Sequence, residues 1–330
     1  MNKLLEIEHL RVTFKTPKGE ITPVDGINLD IIPGETVCIV GESGSGKSVT
    51  SLSIPGLLGG NGRIAEGHIR LDNVELTSLS EAQLRKVRGK QVSMVFQEPM
   101  TALNPVIPIG NQLIEVVRVH SRTSRKEAAS AALQMLRNVG IARPEAVMKE
   151  YPHSLSGGMR QRIVIAMALI CKPRLLIADE PTTALDVTIQ AQILHLMKQL
   201  RHHHDTAILL ITHDLSIVAE MADRVAVMYA GQIVEQADVN SLFDQPVHPY
   251  TQGLMKSVPS LNAGTERLVP IPGTVPSLAD LPAGCRFQER CPYAAAPCRQ
   301  EQPQLDQVGA GHLVRCWLPH HQSQSQAAGG

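Results

Sequence analysis

Residues 41 to 48 read Gly-Glu-Ser-Gly-Ser-Gly-Lys-Ser, a complete G-x-x-x-x-G-K-S pattern. The glycines of such a loop let backbone N–H groups close around phosphate oxygens, and a following helix adds a dipole that favours negative charge. Gly41, Glu42, Ser43, Gly44, Ser45 and Gly46 are therefore the expected cradle. Lys47 reaches the β/γ-phosphates and Ser48 offers a hydroxyl to Mg²⁺. A second constellation is Asp179-Glu180, two carboxylates delivered by the apolar run that starts at Arg174. Asp179 suits a Mg²⁺ shell held through water, and Glu180 suits a general base that polarises an attacking water. A third is His213, at the end of the apolar run Leu-Leu-Ile-Thr.

These groups need a scaffold that brings strand ends together. Thr36 to Val40 is a short apolar β-run directly ahead of the glycine loop, and a helix is expected from Lys47. Leu175 to Ala178 and Ala207 to Ile211 read as further strands, separated by a helix from about Thr188 to Leu200. A helix from Met159 to Ile170 precedes them. Residues 107 to 150 are rich in Ala and charged residues and read as a helical insertion, with Gly140 as its C-cap. Such alternation predicts an α/β domain with a largely parallel core sheet, whose C-terminal rim is where ligands bind. From about residue 258 prolines become frequent and periodicity fades, which predicts a linker into a small cysteine-rich module, followed by a polar, disordered tail.

Composition narrows the partners. Lys+Arg and Asp+Glu both total 31, so no net charge favours a polyanion, and nucleic acid is not an expected partner. Hydrophobic residues make up 43%, a normal globular share. The longest apolar runs are about half of the roughly 20 residues a spanning helix needs. The N-terminal residues lack the apolar core and cleavage site of a signal peptide, which predicts a cytosolic chain.

Leu155-Ser156-Gly157-Gly158-Met159, directly before a helix, resembles the signature of the ABC ATPases. Further features agree in order and spacing: Gln97 in VFQEP resembles the Q-loop, Ala184-Leu185-Asp186 the D-loop, His213 the switch histidine, and Leu175 to Glu180 the Walker B strand with its glutamate. The resemblance covers roughly residues 4 to 258. It implies a P-loop NTPase fold of ABC type over residues 1–258, with a helical subdomain at about 100–160 and a C-terminal extension at 259–330. It also implies a head-to-tail dimer in which Ser156, Gly157 and Gly158 of one chain close on the γ-phosphate held by the other. His213 and Glu180 would then be catalytic, and Gln97 would sense Mg²⁺ and report the nucleotide state to a membrane partner. An aromatic residue near the N-terminus stacks on adenine in this family, and Phe14 is the candidate.

Four cysteines, Cys285, Cys291, Cys298 and Cys316, gather near the C-terminus with spacings unlike the paired C-x2-C of common zinc sites. Four thiolates could hold a 4Fe-4S cluster, with Arg286, Arg290, Arg299 and Arg315 offsetting its charge. Structural zinc, free thiols and disulfides remain as alternatives. HPYTQGLMKSVP at 248 to 259, with the segment GCRFQERCPYA, resembles the extension of dipeptide and oligopeptide importer ATPases, in which such cysteines are associated with an iron–sulfur centre. The resemblance implies ATP and Mg²⁺, a paralogous second ATPase, two permease subunits, an extracytoplasmic binding protein and a peripheral place on the cytoplasmic face of the inner membrane. Motors of nickel, metallophore or glutathione importers are similar. A soluble ABC ATPase of DNA repair or translation is the reading from another class, and the chain lacks that class's long coiled-coil insertion, tandem domains and basic surface.

Overall fold

A computed structural model describes residues 2–97, 102–183, 185–257 and 270–319, without the side chains of residues 200 and 202–204. The chain forms two compact units, each built from several chain segments. One comprises Met1–Leu5, Ile31–Thr36 and Arg70–Ile211; the other comprises Glu6–Asp30, Val37–Ile69 and Thr212–Gly330.

The second unit carries β1 (Leu5–Thr16), β2 (Gly19–Ile31) and β4 (Gly62–Leu71), with β1 between the other two. Residues 5 to 31 are thus mostly two long strands. They meet in a hairpin turn at Thr16 to Gly19, where the Thr16 hydroxyl donates to the Gly19 carbonyl at 2.7 Å. Beside them β3 (Thr36–Val40) runs parallel to β9 (Arg224–Tyr229), pairing Val37 with Arg224 and Val40 with Val227. Antiparallel β10 (Gln232–Asp238), β12 (His312–Val314) and β11 (Asp306–Gly309) extend that sheet. The unit's helices are α1 (Lys47–Ser53), α8 (Leu215–Met221), α9 (Val239–Asp244), α10 (Pro249–Lys256) and α11 (Ala296–Gln300).

The first unit holds the parallel strands β6 (Val92–Val95), β7 (Leu175–Asp179) and β8 (Ala207–Ile211), with β7 in the middle. Every residue of β7 and β8 is buried, as expected of parallel strands covered on both faces. The short β5 (Val74–Glu75) and α2 (Glu81–Val87) precede them. The helical insertion is α3 (Ile109–His120), α4 (Arg125–Asn138) and α5 (Pro144–Val147), followed by α6 (Gly157–Leu169) and, after β7, α7 (Val187–His204).

The sequence shows why α4 forms where it does. Ser124 and Glu127 make a reciprocal capping box: the Ser124 hydroxyl accepts from Glu127 N–H at 3.3 Å, and Glu127 accepts from Ser124 N–H at 2.7 Å. Ala128, Ala132, Met135 and Leu136 then fall on one buried stripe. Gly140, at φ 76°, ends the helix. That stripe lets α4 pack on α3 and α6; burying the Leu136 side chain contributes about 2 kcal/mol. The insertion thereby holds α6, whose Arg162 donates to the Val139 carbonyl at 2.6 Å.

Candidate nucleotide site

The glycine loop leaves β3 and enters α1, all within the second unit. Gly46 is the N-cap of α1 at φ 102°, and a Cβ there would lie 2.2 Å from the Pro23 carbonyl oxygen. Gly41, at φ 150°, is equally constrained, since a Cβ would lie 2.2 Å from the Met228 carbonyl oxygen. Only glycine fits these two positions, for reasons of backbone conformation and of space. Lys47 is buried, and its ammonium donates to the carbonyls of Gly41 (2.8 Å) and Glu42 (2.9 Å). Ser43, Gly44 and Ser48 are exposed. Among the described residues the buried Ser45 hydroxyl has no hydrogen-bond partner, a cost of about 1–3 kcal/mol that an anionic oxygen would relieve. The loop therefore fits a polyphosphate.

His213 is exposed and directly follows Thr212, whose N–H donates to the Ile39 carbonyl of β3 at 3.3 Å. The strand that feeds the phosphate loop thus also anchors the histidine's backbone. Phe14 lies half-buried on β1 with its ring against Gly62, where a Cβ would come within 2.8 Å of two ring atoms.

In the first unit, Asp179 is the last residue of β7 and only 6% exposed. Glu180 follows in the left-handed region, at φ 46°, a conformation that costs a non-glycine residue about 1 kcal/mol or more. It turns the chain so that the carboxylate is bonded twice: the Gln97 amide donates to Oε2 at 2.9 Å, and the Thr183 hydroxyl donates to the same oxygen at 2.9 Å. Gln97 and Glu180 had been read separately; the parallel pairing of β6 with β7, Val95 beside Ala178, brings them together. Thr183 escaped the sequence reading. Its only signal was its place three residues after Glu180, the reach of a turn. Pro181 accepts a hydrogen bond from the buried Gln161 side chain of α6, which ties this turn to the signature helix.

Ser156 caps α6, its hydroxyl accepting from Met159 N–H at 3.3 Å, and Ser156 and Gly157 are exposed. Asp186 likewise caps α7, accepting from Ile189 N–H at 2.9 Å. Ala184 lies outside the described residues.

Chain comparison places this geometry. Residues 24–183 match the profile described as "ABC transporter", and residues 234–298 match "Oligopeptide/dipeptide transporter, C-terminal region". The oligopeptide transport ATP-binding protein AppD of Bacillus subtilis is 53% identical over 99% of this chain and 100% of its own length. The chain belongs to the ATP-binding subunits of ABC-type oligopeptide/dipeptide importers. It is accordingly an ATPase that uses Mg²⁺, and subunits of this family work with membrane permease subunits. OppD of Escherichia coli is 50% identical over 96% of this chain and 93% of its own length. DppD of Bacillus subtilis is 49% identical over 100% and 99%. Among solved structures, the cassette MJ0796, dimeric and bound to ADP and Pi in a post-hydrolysis state, superposes with a TM-score of 0.64 at 28% identity, over 71% of this chain and 98% of that one. No helix among the described residues is long and apolar enough to cross a membrane.

The cysteine module departs from expectation. Cys285, Cys291, Cys298 and Cys316 are all free, and among the described residues no group of His, Cys, Asp or Glu side chains is arranged to hold a metal ion. The iron–sulfur expectation is therefore corrected, and zinc falls with it. Burial raises the Cys285 thiol to about 11 and the Cys316 thiol to about 12, and it raises the Cys291 thiol as well. Three of the arginines expected to balance a cluster are also engaged elsewhere. Arg286 donates to the Asp25 carboxylate and the Ala230 carbonyl, Arg290 to Glu42, and Arg315 to the carbonyls of Ile233 (3.0 Å) and Pro303 (3.1 Å).

Proposed function

We propose that this ATPase drives uptake of di- or oligopeptides, with two copies of the ATP-binding fold closing on ATP and reopening on hydrolysis. Peptide cargo rests on the named relatives, which are oligopeptide and dipeptide transport proteins; the cargo itself does not meet this chain. Lys47 and the loop amides from Gly41 to Gly46 hold the phosphates, and Phe14 stacks on the adenine. Mg²⁺, held by Ser48, Gln97 and Asp179, would neutralise charge developing on the transferred phosphoryl group. Glu180 takes the proton of the attacking water, and His213 fixes that water. The observation that carries the base assignment is the double hydrogen bond on Glu180 Oε2. The two bonds orient the carboxylate for its role as general base.

The exposed Ser156 and Gly157 at the start of α6 support donation across a dimer, to phosphate bound by a second ATPase chain, a paralogue. MJ0796, dimeric with ADP and Pi, is a precedent. For the permease side, α3 and α4 offer a groove of about 400 Å³ lined by Asn111, Ile114, Glu115, Arg118, Val119 and Arg125. Its mixture of apolar (Ile114, Val119) and charged (Glu115, Arg118, Arg125) lining residues suits a peripheral seat on a membrane permease fed by an extracytoplasmic binding protein. Glu180→Gln tests the mechanism: turnover should fall by about 10²–10⁴-fold while ATP binding persists and a closed ATP-bound dimer accumulates on size exclusion. Normal turnover would remove Glu180 as base. Co-purification from membranes with two permeases tests the assembly.

A further inference from the structure

The C-terminal part of the chain reaches Glu42 of the phosphate loop in two ways. Arg290, in the cysteine-rich segment, grips the Glu42 carboxylate bidentately, Nη1 to Oε2 at 2.6 Å and Nη2 to Oε1 at 3.0 Å. Tyr250, in the His-Pro-Tyr segment, accepts the Glu42 backbone N–H on its hydroxyl at 2.8 Å. Neither contact was foreseen from sequence, because 208 and 248 residues separate the partners.

Arg290 is built for one position. Its side chain is 4% exposed, and its five N–H donors all have acceptors. Besides Glu42 these are the carbonyls of Pro272 (2.8 Å) and Ile271 (3.4 Å) and the Tyr229 hydroxyl (3.4 Å). The guanidinium carbon lies 5.7 Å from the Tyr229 ring centre and 5.9 Å from that of Phe287. Tyr250, Tyr229 and Phe287 form one aromatic cluster, with ring centres 4.7 to 5.4 Å apart. Helix α10 is set by the same motif: His248 caps it through Nδ1 and Pro249 occupies the first turn.

A carboxylate in a loop that binds polyphosphate is an electrostatic liability unless a cation covers it. We propose that Arg290 and Tyr250 are positioning residues for ATP: Arg290 neutralises Glu42 and holds its side chain aside, while Tyr250 fixes the loop backbone at the same residue. The inference rests on the phosphate-loop assignment above and adds a role for the C-terminal extension, which would set nucleotide affinity without touching nucleotide.

The test is equilibrium binding of a non-hydrolysable ATP analogue with Mg²⁺ to the full chain, with unfolding temperature recorded alongside. Arg290→Met should weaken binding about tenfold, equivalent to about 1.4 kcal/mol, because the Glu42 charge is left uncovered. Adding Glu42→Gln should restore affinity to within about threefold of wild type, and raising the salt should shrink the Arg290→Met defect. In steady state the single variant should raise KM while holding kcat. Tyr250→Phe should weaken binding about threefold whether or not Glu42 is changed. A purely structural tie predicts that the double variant is no better than Arg290→Met; that result, or an Arg290→Met affinity within twofold of wild type, overturns the proposal. Should Arg290→Met not fold, Arg290→Lys takes its place, with about a threefold loss relieved by Glu42→Gln, and no loss there overturns it equally. Lys47→Ala separates the levels: retained ATP binding in that variant refutes the phosphate-loop assignment itself, whereas lost binding there with unaffected clamp variants refutes only the clamp.

Discussion

Replacing His248 by Asn should make the protein less sensitive to acid. His248 is fully buried at the start of α10, where Nδ1 accepts the Tyr250 N–H at 3.1 Å, so the ring must be neutral on that nitrogen. Burial, and secondarily the positive Arg315, push its pKa from 6.5 down to about 3. A histidine depressed in the folded state binds protons more readily when unfolded. The stability it allows is complete above pH 6.5 and is lost as pH falls from 6.5 toward 3. At pH 5.0 the gap below 6.5 is about 1.5 pH units, and at about 1.36 kcal/mol per unit the cost relative to pH 7.5 is about 2 kcal/mol. Asn keeps a cap acceptor and does not titrate. Urea unfolding of both proteins at pH 7.5 and 5.0 should show wild type losing about 2 kcal/mol more than His248→Asn. Parallel losses, or an imidazole that titrates above pH 5 in the folded protein by NMR, would refute the argument.

Two other expectations follow from local geometry. Gly46→Ala places a methyl 2.2 Å from the Pro23 carbonyl oxygen, in a backbone region alanine avoids; calorimetry with ATP should show binding lost by a hundredfold or more, and near-normal affinity would contradict the loop geometry. Ser156→Arg fills the exposed cap of α6 and should leave ATP binding by the single chain unchanged while reducing turnover at least tenfold, as measured by phosphate release. Undiminished turnover would argue against donation across a dimer.

Legibility from sequence varied with the range of the interactions. Strands β3 and β8 were read with the bounds the structure shows, because a five-residue apolar run flanked by turn residues has few alternatives. The helical insertion was read as one stretch from 107 to 150 and α6 as Met159 to Ile170; the structure divides the first and starts the second at Gly157, with Ser124 and Ser156 as caps. The length of β1 and β2 was not readable, since their pairing joins residues across a hairpin whose register alternation alone leaves open. The cysteine cluster was misread because four thiols in sequence order say nothing of whether their sulfurs converge, and the arginines beside them were assigned by proximity in sequence alone.

The amino-acid sequence by itself determined the family and the candidate chemistry: eight residues from Gly41 to Ser48, the Asp179-Glu180 pair, Ser156 to Gly158 and His213 are local motifs, and the proposed phosphate binding and hydrolysis are assigned to them from residue type and spacing. Tertiary structure alone decided who holds those residues in place. Gln97 and Thr183 meet on Glu180 because two parallel strands align, and Glu42 is taken up by Arg290 and Tyr250 because the C-terminal segment folds back on the phosphate loop. Such contacts join residues up to 248 positions apart, and they depend on strand register and side-chain packing, which no local pattern of residue types encodes.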